Sequence, residues 1–406
     1  VIKGGFNPEV TYHYSGVELF WCLTFATGLL AFSLEVGLNL MAIRLLVLEI
    51  LCVMGLTMAK YKPVWSLPLK IYAAYLLWIF IGLFYSPSLF IGIRVILKYL
   101  YPILLCLFAS AAVRDSEVFM KSSLLARVVA AISVIFFLLP FLNRLIPGVL
   151  WYDTATCINY ISMMIFSGGM FFFSNQKKKN FLYTLLFLAP CFIKVFRTSI
   201  MGSGVAIAAF CLIKYKIKAV PYIAAVLLVG AVSVFYVEPI KEKMFYDTNV
   251  TLQDYLDGKI DEDNFNTNNR TFMWEKLEKR FFVESQVVGS GTGAVQSYMY
   301  AHPLEFGDYK VPHSDFVQQK CDNGLIGLIL YGAIIVTAFL DCAVTYWRNR
   351  NGVIRLCAIV AGASMLGVYA TFYSDNVVNY SMATLSMPFG FYGMMLGMRK
   401  QQRLSY

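Results

Sequence analysis

Twelve apolar runs, most of them near twenty residues long, constrain this chain more than any motif within it. They fall near Gly16–Leu38, Leu40–Ala59, Ile71–Phe90, Val95–Val113, Leu124–Leu142, Ile158–Ser174, Phe181–Phe196, Ile200–Ile213, Ala219–Val237, Gly324–Val344, Leu356–Tyr373 and Met382–Met398. Apolar and polar residues do not alternate in them, so they read as helices and not strands. Lipid offers no partner to an unpaired backbone amide, and a helix satisfies its own. Charge content agrees, at 14% against about a quarter in soluble domains. The expected fold is an all-α integral membrane protein with about twelve transmembrane helices.

The basic residues test this reading. Lys60, Lys62 and Lys70 follow the second run, and Arg114 and Lys121 the fourth. Lys177–Lys179 follow the sixth, Lys214, Lys216 and Lys218 the eighth, and Arg348, Arg350 and Arg355 the tenth, while Arg399, Lys400 and Arg403 end the chain. With twelve alternating spans all these connections share one side, which the positive-inside rule makes cytoplasmic, with both termini there. The net charge of +10 then reports topology and implies no nucleic-acid partner.

The other face receives short loops near Tyr85–Ser88, Asn143–Thr156 and Ser374–Tyr380, plus one long segment from Glu238 to about Pro312. That segment holds about half of the acidic residues, with Asp261-Glu262-Asp263 at its centre. Short helices are expected in it at Lys241–Tyr246, Phe272–Phe282 and Ala294–Tyr300, lying over the membrane surface. Three regions result: a membrane region 1–237, an extracytoplasmic loop 238–323 carrying the third histidine, and a second membrane region 324–406. No cleavable signal peptide is expected, since a polar stretch to about Ser15 precedes the first apolar run. The nine cysteines sit mostly singly in apolar runs, with no C-x-x-C pair, so neither a disulfide framework nor a zinc site is expected.

An ionisable side chain within a span costs roughly 3 kcal/mol on insertion scales and is a functional candidate by default. Arg94 and Lys98 lie one helical turn apart near the outer end of the fourth run, either snorkelling to the interface or facing inward to hold an anion. Lys194 and Arg197 stand at an outer boundary, against the charge bias, where the next helix begins and its N-terminal amides could assist an anion. Arg270 lies in the long loop, and Gly289-Ser290-Gly291-Thr292-Gly293 could cradle phosphate with successive amides. His313 is one of three histidines; an imidazole of ordinary pKa near 6.5 is suited to take a proton from a hydroxyl at neutral pH. Asp315 and Asp322 are candidates to orient it, His302 is the second imidazole, and His13 falls on the opposite side. A hydrogen-bonded structural histidine is the plainer alternative.

His313-Ser314, nine residues, then Gly324-Leu325-Ile326-Gly327 resembles the signature of the O-antigen ligase and polymerase superfamily. Upstream features follow the family's order: Arg197-Thr198-Ser199, then Arg270 and Trp274 as Arg-x-x-x-Trp, then Gly-Ser-Gly-x-Gly. The resemblance covers about Phe181 to Tyr331. Where the family commonly shows Ser-Arg, this chain has Phe196-Arg197. The resemblance implies a GT-C-like, inverting membrane glycosyltransferase of a bacterial inner membrane, acting on its outer face without metal or other cofactor. Its donor would be a glycan on undecaprenyl pyrophosphate. Its acceptor would be a lipid-linked repeat unit for an O-antigen or capsule polymerase, or lipid A–core of lipopolysaccharide for a ligase; a protein hydroxyl is a third choice. Arg197 and Arg270 would hold the pyrophosphate with Arg94 and Lys98 as helpers, and His313 would serve as base or acceptor orienter. Ser314, Asp315, Gly324 and Gly327 would support it. Membrane lipids are expected partners, and a chain-length regulator is compatible with the polymerase reading. A polytopic lipid or sugar transporter is the alternative from another class; it would usually carry internal repeats, and none is evident here.

Overall fold

The computed structural model describes residues 16–28, 33–34, 40–139, 141, 149–150, 154–260, 264–267, 270–307, 309–380 and 382–404. His13 and the acidic run 261–263 lie outside the described residues. A helix lies on each of the twelve apolar runs. Nine come first: α1 (Gly16–Thr27), α2 (Leu40–Met58), α3 (Leu67–Ile81), α4 (Leu89–Ala112), α5 (Ser116–Leu138), α6 (Ile161–Phe173), α7 (Lys177–Ile193), α8 (Arg197–Tyr215) and α9 (Val220–Tyr236). Among the described residues, five short α-helices cross the long polar segment: α10 (Glu238–Met244), α11 (Leu252–Leu256), α12 (Arg270–Leu277), α13 (Ala294–Ala301) and α14 (Pro303–Phe306). The chain closes with α15 (Asp315–Arg348), α16 (Gly352–Thr371), the single turn α17 (Val377–Tyr380) and α18 (Met382–Leu404). A two-residue antiparallel ladder pairs Ser33–Leu34 with Val149–Leu150.

Among the described residues, six helical segments are long and apolar enough to cross a membrane: Leu67–Tyr85, Leu89–Ala112, Ser116–Leu138, Arg197–Tyr236, Asp315–Arg348 and Gly352–Thr371. The fourth is 40 residues long, about twice what a bilayer core requires. Lys216, at φ +54°, breaks it into α8 and α9. The tenth apolar run was expected from Gly324, but α15 starts nine residues earlier. Ser314 caps it, its Oγ accepting from Val317 N at 3.3 Å, and Gly324 only bends the helix, with φ +64° and ψ −167°.

Small residues bring the central helices together. A Cβ on Gly202 of α8 would meet Thr371 Cγ2 at 2.4 Å, and one on Gly367 of α16 would meet Ala206 Cβ at 2.5 Å. Gly393 and Gly397 of α18 lie just as close to the carbonyls of Cys106 and Val113 at the end of α4. Lipid tails are as apolar as leucine, so helices in lipid associate by backbone approach at small residues and not by hydrophobic exclusion. The α8–α16 contact fixes the site, because it sets the start of α8 beside the residues that follow α16.

The polar segment has a small core of its own. Met273, Leu277, Val295, Met299 and Phe306 are buried with Val317 and Cys321 of α15. Ion pairs Lys276–Glu305 at 2.8 Å and Lys320–Glu278 at 2.6 Å edge it. Its apolar surface is thus buried partly against the first turns of α15, and the segment is anchored where the histidine stands.

Candidate functional site

His313 precedes the first turn of α15 with φ +51°, a conformation few non-glycine residues adopt. Such strain costs about 1–3 kcal/mol and persists only where the surroundings impose it. Here they do. Ser314 N donates to Asn376 Oδ1 at 3.1 Å, and Asp315 N donates to Phe372 O at 2.9 Å. The buried Asp315 carboxylate accepts from Asn376 Nδ2 at 3.1 Å and from Val378 N at 3.2 Å. On the other side Trp274 Nε1 donates to Pro312 O at 2.6 Å. The start of α15 is thereby clamped to the segment after α16, and the imidazole is turned to Asp375, with Nδ1 3.5 Å from Oδ1. The ring of Tyr309 meets it edge-on at 5.3 Å.

Arg270 reaches the same segment directly, and Arg197 comes near it through its neighbour Thr198. Arg270 opens α12 and donates through Nη1 to Ser374 O, while its Nε is shut off from solvent with no acceptor among the described residues. A buried donor left this way costs about 1–3 kcal/mol, and an anionic oxygen is the acceptor that best offsets it. Arg197 opens α8, and the neighbouring Thr198 Oγ1 is 3.0 Å from Ser374 Oγ. One terminal nitrogen of Arg197 donates to the carbonyls of Lys243 at 2.7 Å and Asn266 at 2.8 Å. Arg197 and Arg270 lie close enough to repel one another, an arrangement that favours an anion between them. The turn before Arg197 is strained as well, with Val195 at φ +46° and Lys243 Nζ donating to the Lys194 carbonyl at 2.7 Å.

Of the other expected residues, Lys98 lies within electrostatic reach of Asp315 and of Arg94. Arg94 is set one turn away, over the exposed ring of Phe90 at 5.7 Å.

Several expectations need correction. The carboxylate that faces the imidazole is Asp375, while Asp315 and Asp322 hold backbone and amide partners elsewhere. Asp315 is taken by Asn376 and Val378, and Asp322 accepts from Gly293 N at 3.1 Å and Val295 N at 2.8 Å. The glycine turn is no phosphate cradle either. Ser290 N donates to Cys321 O, Gly291 N to Asp322 O and Thr292 N to Gly82 O, so its amides are spent on protein acceptors. Gly289 and Gly324 instead let two backbones meet. A Cβ on Gly324 would lie 2.4 Å from Val287 O, and one on Gly289 would lie 2.4 Å from Asp322 O. Gly327, three residues on, makes room for side chains instead: a Cβ there would lie 2.3 Å from Asn323 Cβ and 3.4 Å from Trp78 Cδ1. The alternative imidazole, His302, stacks on Tyr298 at 4.0 Å with Nδ1 2.9 Å from Tyr298 O.

The residues that sequence reasoning missed are Ser374, Asp375 and Asn376. They stand in a stretch read only as a short outer loop. The one available signal was a buried-type Asp-Asn pair directly after an apolar run.

Residues 182–332 match the family model described as O-antigen ligase. No curated protein matches the chain. The matched segment holds Arg197, Arg270 and His313 and stops short of Asp375. Over that segment, rather more than a third of its length, the chain is similar to the O-antigen ligase family.

Proposed function

We propose that this protein is an inverting glycosyltransferase that polymerises undecaprenyl-pyrophosphate-linked repeat units into O-antigen or capsular polysaccharide at the outer face of the inner membrane. The observation that carries the reading is the meeting of Arg197-Thr198, Arg270 and His313, from three distant stretches, on residues 373–376. Two guanidiniums repelling one another beside a buried unsatisfied N–H suit a pyrophosphate, which leaves without a general acid once its charge is neutralised. An acceptor hydroxyl does need a base. With Asp375 facing Nδ1 at 3.5 Å, His313 is the imidazole that would take that proton. The hydroxyl oxygen attacks the anomeric carbon, the bond to the lipid pyrophosphate breaks with its electron pair leaving on the phosphate oxygen, and attack opposite the leaving group inverts the centre. Lys98 and Arg94 extend the positive field toward the lipid side.

His313→Ala and Arg197→Ala, made separately and scored as glycan on a gel, test the site. Both are expected to abolish long chains while the protein still inserts, and wild-type polymer from either removes that residue. Deleting the gene tests the acceptor. Surface glycan carrying a single repeat unit supports polymerisation, whereas accumulated long lipid-linked chains would assign the transfer to lipid A–core.

A further inference from the structure

At the end of α15 opposite His313, about 40 Å or more along the helix, α15 and α18 line an open cavity of about 380 Å³. Its inner wall is a fixed ion pair. Arg399 Nη1 donates to Asp341 Oδ1 at 2.6 Å and to Thr345 Oγ1 at 2.7 Å, and Tyr392 Oη donates to Asp341 Oδ2 at 2.7 Å. Asn349 Nδ2 donates to Gln402 Oε1 at 2.8 Å and ties the two helix ends together. Arg348 and Arg403 complete the lining, both exposed and neither in an ion pair among the described residues. With Asp341 as the single acidic group, the lining carries a formal surplus of two positive charges. The C-termini of two helices offset about half a charge each, which leaves about one. A singly charged phosphodiester balances that remainder.

The apolar surroundings indicate where such an anion comes from. Val336, Leu340, Val344 and Trp347 are all exposed and recur at helical spacing on one face of α15, and Val344 itself lines the cavity. A continuous apolar stripe ending at a basic cavity matches a lipid with acyl chains along the helix and a charged head between the arginines. We propose that this cavity binds the phosphodiester headgroup of an anionic phospholipid, gripped by Arg348 and Arg403 against the Asp341–Arg399 wall. The site is independent of the glycan chemistry at the other end of α15.

The test uses the full chain in detergent micelles, titrated with dioleoyl phosphatidylglycerol or dioleoyl phosphatidylcholine, with retained lipid read by native mass spectrometry. The wild type is expected to retain phosphatidylglycerol over phosphatidylcholine. Arg348→Gln with Arg403→Gln should lower phosphatidylglycerol retention about tenfold or more. Arg350→Gln with Lys400→Gln, which removes the same charge from exposed positions outside the cavity, should leave it unchanged. Equal retention in the cavity double variant overturns the proposal, and so does an equal loss in the control pair, which would indicate a diffuse basic face. Displacement of the lipid by millimolar inorganic phosphate would reassign the site to a free anion and overturn the lipid source. A fold defect in the cavity variant shows as lost thermal stability, and Arg403→Lys, which keeps the charge, then decides by restoring retention or not.

Discussion

Asp375 shows how the carboxylate that faces a candidate base can stay invisible in the sequence. Its Oδ1 accepts from Asn376 N at 2.9 Å while facing His313. Asp375→Asn keeps an oxygen for that amide bond and removes the negative charge that faces the imidazole. The expected outcome is a fall in kcat of about 10²-fold or more with KM little changed and Tm unaltered, measured on a lipid-linked glycan. A loss of Tm with unchanged turnover per folded molecule would make Asp375 merely structural. Asp315→Asn should behave the opposite way. Its two oxygens clamp Asn376 and Val378, so weakening them lowers thermal stability first. His313 could be read from the sequence because its spacing to Gly324 is local and distinctive. The partner of His313 could not. Tyr373-Ser374-Asp375-Asn376 looks like any polar connection, and nothing in linear order reports a contact across 62 positions.

At the scale of elements, the bend in α15 joins the membrane bundle to the polar segment. The carbonyls of Gln286 and Val287 accept from Leu325 N at 2.9 Å and Ile326 N at 3.3 Å, so the amides freed by the bend at Gly324 are paired. Gly324→Ala adds strain of about 1–3 kcal/mol from its left-handed φ and a Cβ against Val287 O. The expected result is a Tm lower by about 5 °C or more in a fluorescence-detected melt. Gly204→Ala on α8, where the new methyl meets nothing within 4 Å, should leave Tm unchanged or raise it slightly. Helices were legible because period and length are local properties. The glycine turn was misread because its amides are spent on carbonyls and a carboxylate of α15, roughly thirty residues onward, and on the carbonyl of Gly82, a choice made by tertiary contact and not by composition.

Over the whole molecule, the alternation of basic connections gives a topology that labelling can check. Eight of the nine cysteines are buried, so a membrane-impermeant maleimide should report mainly on introduced thiols. Tyr246→Cys and Leu304→Cys should react in intact cells, whereas Lys62→Cys, Lys178→Cys and Arg350→Cys should react only once the cytoplasmic face is opened. Reaction of both sets from outside would refute the alternating spans. The candidate site is also a whole-molecule property, because the stretch that matches the family model, residues 182–332, excludes the loop after α16 on which Arg270 and His313 meet. Grafting that stretch alone into another bundle would transplant two guanidiniums and an imidazole without the surface that aligns them. Such a chimera should insert and remain inert until the host also receives the turn that carries Asp375.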